Sequence, residues 1–217
     1  APRGGRSLLD LGCGSGGALV AANDMFRERT GVDVALRWLV IAQKRLAELG
    51  VDATLVGADA EALPFRERSF SHVLASDLVE NTPSPAGTVK AAASVLETGG
   101  RLYVSASNRR WIGPHPATGV WAAGLRSEKL RKSSLERKHG VDILRAVSFA
   151  GPASVRKMAA AGGLRQIAID PLRPDGRQLA GRSPIFRALA QIYSGLASAP
   201  LFRTLLVAVG PVFQSLF

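Results

Sequence analysis

The chain has 217 residues, 47% hydrophobic and 21% charged, the balance of a folded globular protein with enough length for one large core. Its single cysteine excludes an intrachain disulfide and any zinc motif, and no run reaches the roughly 18–20 apolar residues of a membrane span. The formal charge of +11 lies entirely in the second half: residues 1–100 carry 10 basic and 12 acidic side chains, residues 101–217 carry 18 and 5. That asymmetry suits an anionic acceptor, a membrane surface or nucleic acid, and a composition kept for solubility explains it equally.

In chain order, RSLLDLG (6–12) predicts a short apolar strand that runs into a glycine turn, and GALVAANDMFRER (17–29) a helix. GVDVA (31–35) predicts a second strand, RWLVIAQKRLAELG (37–50) a helix closed by glycine, and ATLVGADA (53–60) a third strand. SFSHVLASD (69–77) is the fourth strand, AGTVKAAASVLETGG (86–100) a helix stopped by two glycines, and RLYVSAS (101–107) the fifth. The strands lack polar alternation, as expected where helices cover both faces of a parallel sheet. The expected fold is therefore α/β: a Rossmann-like, open, mostly parallel sheet with helices on both faces.

The rhythm changes after residue 107. Residues 108–124, rich in Gly, Pro and Trp, read as a loop or lid, and 126–140 as a highly charged helix or arm. GPASVRKMAAAGGL (151–164) predicts a helix and RQIAIDPL (165–172) an edge strand. The tail 184–217 is apolar, its only charges are Arg187 and Arg203, and Pro200 and Pro211 interrupt it. It is expected to form a helical cap of two or three short helices that roof a cavity, pair with a second copy or touch a membrane. The organisation read from this is a binding core over 1–110, a lid or insertion over 111–150, a remaining helix and edge strand over 151–183, and the tail over 184–217.

The chemistry gathers where the strands end. Gly12, Gly14 and Gly16 let the backbone turn sharply and bring amides close to a ligand. Asp10 lies beside that turn, Asp33 ends the second strand, Asp59 the third and Asp77 the fourth, so all four gather at the edge where open α/β sheets take ligands. Asp10 can meet an ammonium while the turn amides face a carboxylate. Asp33 can accept from ribose hydroxyls, and Asp59 from an exocyclic adenine amine. Each aspartate also has a plain role as a helix cap.

LLDLGCGSGG, GVDVALRWLVIAQKR, GADAEALPFRERSFSHVLASDLVEN and VLETGGRLYVSASNRR, in this order and spacing, resemble class I S-adenosylmethionine-dependent methyltransferases of the UbiE/UbiG-like "methyltransferase domain 11" type. The resemblance covers about residues 6–110. It implies S-adenosyl-L-methionine as cofactor and S-adenosyl-L-homocysteine as product. The methionine part is then expected near Asp10, Gly12, Gly14 and Gly16, the ribose on Asp33, and the adenine on Asp59 and Ala60. Ser76 to Leu78 fall on the sulfonium side. Val34 and Trp38 line the adenosine region, although Trp38 reads equally as core. Cys13 holds the usual place of that motif and reads as a small buried filler, not a nucleophile. The family often shows Glu-His after the fourth strand where this chain has Glu80-Asn81, and Asn cannot act as a base. Only APRGGR precedes the first strand, and the resemblance implies helical residues ahead of it.

Methyl transfer from a sulfonium needs alignment and exclusion of water, and a base when the acceptor is a hydroxyl or an acidic carbon. The expected groups are His115, in WIGPHPATGVW beyond the fifth strand, with Glu80 and Asp77 as alternatives; His115 reads equally as a loop-ordering residue. No metal site is expected. A basic second half with an apolar tail suits a hydrophobic or amphipathic acceptor, such as a quinone precursor, a lipid-like molecule or a secondary metabolite. A catalytically degenerate binding module and a nucleic-acid enzyme are the alternatives. The expected setting is cytoplasmic, with homodimer or peripheral membrane contact through 184–217.

Overall fold

The computed structural model describes residues 5–115, 119–127, 129, 130, 133, 134, 137, 150–173 and 183–217. Seven strands form one mixed sheet: β1 Gly5–Leu11, β2 Phe26–Asp33, β3 Thr54–Gly57, β4 Phe70–Ser76, β5 Leu96–Ser107, β6 Ala168–Pro171 and β7 Val212–Leu216. Their order is β3-β2-β1-β4-β5-β7-β6. β7 runs antiparallel to both neighbours, and the other pairs are parallel. The helices are α1 Gly17–Ala21, α2 Leu36–Glu48, α3 Pro85–Val95, α4 Pro152–Ala161, α5 Pro184–Leu196 and α6 Pro200–Val209.

Both faces of the sheet are covered, which is why its strands read as unbroken apolar runs. On β1, Leu9 and Leu11 join a core with Val89 and Ala92 of α3, whereas Leu8 joins Ala22 and Phe26 on the opposite face. The chain runs outward through β2 and β3, then returns to place β4 on the other side of β1. At such a reversal the loops splay apart beyond the strand ends and leave a crevice.

The bounds of α1, β2, α3 and β5 differ from the sequence expectation. The first helix stops at Ala21, and Phe26 already belongs to β2, paired with Gly5. Phe26 packs edge-on against His72 with ring centroids 5.0 Å apart. The guanidinium of Arg29 donates to the carbonyls of Asn23, Phe26 and Asp52 and ties the intervening turn. The third helix ends at Val95, and β5 begins at Leu96 with an irregularity in register between Phe70 and His72. Ser84 caps α3 by accepting from the Gly87 amide at 3.0 Å, with Pro85 in its first turn.

The tail forms two helices and then a strand. Pro211 ends helical structure, and Phe213, Ser215 and Phe217 alternate inward while β7 slots between β5 and β6. No single helix among the described residues is long and apolar enough to cross a bilayer; α5 and α6 form a bent pair at 114°. Of the charged helix or arm expected over 126–140, the described residues 129, 130, 133, 134 and 137 are helical, after a 3-10 turn at Ala123–Leu125; 128, 131, 132, 135, 136 and 138–140 lie outside the described residues.

Candidate active site

A crevice of about 520 Å³ opens at the C-terminal edge of β1 to β4, within the size range of small-molecule sites. Its floor is the glycine turn. The Gly12 and Cys13 amides both donate to the Val32 carbonyl, at 2.8 and 2.9 Å, which fastens the turn to β2. Gly12 and Gly14 have φ of 69° and 51°, the left-handed region that glycine enters at little cost. A Cβ on Gly12 would strike Leu78 at 2.8 Å; one on Gly14 would meet nothing within 4 Å, so the Gly14 backbone presents itself to open space.

Asp33 ends β2 and holds two amides at once. Its Oδ2 accepts from Gly14 at 3.0 Å and its Oδ1 from Ala35 at 2.8 Å. One carboxylate thus fixes the glycine turn against the start of α2, and Val34 and Trp38 extend that wall into solvent. Asp59 and Ala60 form the next wall. Asp59 Oδ1 accepts from the Glu61 amide at 2.9 Å, the plain turn-capping role.

Ser76, Asp77 and Leu78 complete the crevice at the end of β4. Asp77 adopts φ of 51°, a strained conformation for a residue with a Cβ. Surrounding bonds over-determine it. Its amide reaches the Ser105 carbonyl at 3.0 Å, the Ser105 hydroxyl meets its carboxylate at 3.3 Å, and Asn81 Nδ2 donates to its carbonyl at 2.7 Å. Asn81 therefore has a clear task at the position where the family often shows a histidine. Burial pushes the Asp77 carboxyl up, partly offset by Ser105.

Asp10, Cys13 and Gly16 lie behind the lining, not in it. Cys13 packs against Gly31, and burial followed by repulsion from Asp10 pushes its thiol up to about 12, which leaves it an inert filler. Asp10 is 3% exposed, and burial with repulsion from Asp33 raises its carboxyl to about 7. Two carboxylates thus converge beside an open amide cradle, an arrangement that a cation relieves.

Glu80 is buried beneath the crevice, where its Oε1 accepts from the Ser107 amide at 2.9 Å. Burial pushes its carboxyl up. His115 is buried in the loop after β5, its amide donating to Val120, and burial pushes its imidazole down. Neither residue lines the crevice, whereas Asp77 does. Ala35, Ala58, Thr82 and Pro83 also line it without having been singled out; the Thr-Pro directly after the 3-10 turn Val79–Asn81 was the available signal. No cluster of metal ligands occurs among the described residues.

The donor set fits S-adenosyl-L-methionine: an amide cradle and a buried carboxylate for an amino acid group, Asp33 for a ribose, and Asp59 with exposed apolar walls for a base. Residues 9–104 match the family model of a methyltransferase domain. That segment contains the glycine turn and every wall of the crevice. The chain is 36% identical over 114 residues to a ubiquinone biosynthesis O-methyltransferase of Paracidovorax citrulli, covering 50% of this chain and 47% of that protein. It is 33% identical over 106 residues to one from Burkholderia ambifaria, covering 48% and 46%. The chain thus spans about half the length of the curated relatives it matches. Among solved structures it resembles an S-adenosylmethionine-dependent methyltransferase from Mesorhizobium loti, with a TM-score of 0.65 and 18% identity over 100% of this chain and 91% of that one. It also resembles a geranyl diphosphate C-methyltransferase from Streptomyces coelicolor, with a TM-score of 0.62 and 18% identity over 100% and 71%. These two likenesses establish the mixed α/β fold with its C-terminal helical region.

Asp10 is expected to make cofactor affinity pH-dependent. Its raised value means that the empty fold favours the protonated acid, so the apo protein loses stability as pH rises towards 7. An ammonium-bearing ligand favours the ionised form, so binding releases a proton below that value. Affinity for S-adenosyl-L-homocysteine is expected to rise about tenfold from pH 6 to pH 8 and to flatten above. Calorimetry across that range checks this, and in Asp10→Asn the slope disappears.

Proposed function

We propose that the chain transfers a methyl group from S-adenosyl-L-methionine to a hydroxyl or carbon of a small hydrophobic or amphipathic acceptor, of quinone-precursor, lipid-like or secondary-metabolite type. The observation that carries this reading is the crevice itself: Gly14, Asp33, Asp59 and Asp77 converge at the switch point of the sheet inside a segment that matches a methyltransferase domain. The relatives named as ubiquinone biosynthesis O-methyltransferases support an oxygen as the acceptor atom.

When bound, the cofactor supplies a methyl group already activated by a sulfonium. The chain's task is to hold the two partners in line and keep water out. The glycine turn and Asp33 fix one end of the cofactor, and the β4 end aims the other. Of the three groups weighed as base, Asp77 alone lines the crevice. Its upward shift brings its basicity closer to that of the neutral-pH chemistry it serves. Asp77 would take the proton that the acceptor hydroxyl gives up as its oxygen is methylated. Glu80 supports this from below by holding Ser107, and His115 orders the loop beyond β5.

Single-turnover methylation of a catechol-type acceptor at saturation tests these roles. Asp77→Asn is expected to lower the rate about 100-fold, the low end of base catalysis, with S-adenosyl-L-homocysteine affinity retained. His115→Ala is expected to stay within a few fold. Equal rates for Asp77→Asn and wild type, with a collapse in His115→Ala, would transfer the base role to His115.

A cytoplasmic setting with peripheral membrane contact belongs to the same reading. Leu189 and Ile192 of α5 and Leu201 and Leu205 of α6 are more than half exposed, and Arg187 and Arg203 are the only charges on the pair. Such faces settle into the headgroup boundary of anionic lipid. Flotation with phosphatidylglycerol vesicles should carry the protein upward. Failure to float, together with dimeric sedimentation, would assign the face to a second copy.

A further inference from the structure

A second cleft, of about 540 Å³, lies between α4, α6 and the chain leaving β5. It is distinct from the cofactor crevice and shares no lining residue with it. Arg109, Arg110 and Arg156 all line it, and no acidic side chain among the described residues does. Among those residues none of the three arginines forms an ion pair. Arg109 donates from Nε to the Gly124 carbonyl at 3.3 Å, which steadies its guanidinium without neutralising it. Three like charges around one cavity repel unless an anion joins them. Guanidinium groups also suit oxyanions because their N–H groups pair with two oxygens at once. The remaining wall is mixed: Ile169, Val207 and Ala208 are apolar, and Ser154 and Thr204 offer hydroxyls. The cleft is thus shaped for an oxyanion attached to an apolar body.

Its position ties it to the reaction. Ser105 touches Ser76 and Asp77 at the mouth of the crevice, and Arg109 follows four residues later on the same strand end. Four residues of extended chain span at most about 14 Å. Asn108 Nδ2 donates to the Val207 carbonyl at 3.0 Å and fixes the turn between the two cavities to α6. One amphiphilic molecule can therefore place its head in the cleft and its other end at Asp77.

We propose that this cleft binds the acidic head, a phosphate or carboxylate, of the acceptor that is methylated at the crevice. The assignment rests on the methyl-transfer reading above and narrows the acceptor to an anionic amphiphile.

Titration calorimetry at low salt with hexyl phosphate, hexanoate and inorganic phosphate tests it in the full chain. Hexyl phosphate or hexanoate should bind. The affinity should fall about tenfold for each arginine removed, in Arg110→Gln and Arg156→Gln, as expected for losing a charge-assisted contact. Arg110→Lys with Arg156→Lys should recover part of it, and S-adenosyl-L-homocysteine should bind all variants alike. Undiminished binding of hexyl phosphate to the doubly substituted Gln variant would overturn the site. Inorganic phosphate binding as tightly as hexyl phosphate would identify a free-anion site and overturn the acceptor assignment. Loss of S-adenosyl-L-homocysteine binding in wild type would defeat the methyl-transfer reading while leaving the arginine dependence of hexyl phosphate intact, so the two failures are separable.

Discussion

Asp33→Ala is expected to weaken S-adenosyl-L-homocysteine binding by about 100-fold or more, the equivalent of losing two hydrogen bonds to a charged group. The size of the effect follows from the double task of this carboxylate. It holds the Gly14 and Ala35 amides, and it lines the crevice where a ribose is expected. Removing it frees the glycine turn from the start of α2 and takes away the ligand's acceptor in one step. Asp33→Asn keeps one acceptor oxygen and should fall between the two. Calorimetry measures all three proteins, and circular dichroism checks that each is folded. Unchanged affinity in Asp33→Ala would move the ribose elsewhere.

Phe213→Ala is expected to destabilise the fold by about 3–5 kcal/mol, the range for truncating a buried aromatic side chain. Phe213 is fully buried and sits opposite Ala106 on one side and Pro171 on the other. It thus fastens the inserted antiparallel strand to both neighbours and closes the core beneath α3 and α4. In a domain of this size the loss corresponds to a melting temperature lower by about 10 °C. Ile192→Ser, on an exposed face of α5, should change stability by no more than about 0.5 kcal/mol. Thermal melts of the pair check both, and equal melting temperatures would mean that β7 carries no part of the core.

Much of the first hundred residues is readable in the sequence because local and tertiary demands agree there. Apolar runs, glycine stops and strand-end aspartates all point to one alternating βα pattern. The exceptions occur where tertiary packing overrides local preference. Phe26 looks like part of a helix face, but the space between Leu8 and His72 takes it into β2. β7 escapes notice because its alternation is short and follows two helices of similar composition. Only the gap between β5 and β6 decides its conformation.

The crevice is legible for the same reason that it works. Strand ends and glycine turns are fixed by topology, so Gly12, Gly14, Asp33, Asp59 and Ser76 line one crevice. Depth is not legible. Asp10 stands one residue before the end of β1, and its carboxyl is buried behind the crevice lining instead of forming part of it. Glu80 and Asp77 are three residues apart, yet the 3-10 turn buries Glu80 and leaves Asp77 in the crevice lining. The arginine cleft draws residues from five separate segments, which no local pattern joins.

Direct titration of the chain with S-adenosyl-L-methionine tests the central claim. One-to-one binding that tightens from pH 6 to pH 8 and is lost in Asp33→Ala is the predicted result. A folded protein that binds neither S-adenosyl-L-methionine nor S-adenosyl-L-homocysteine at any pH would contradict it.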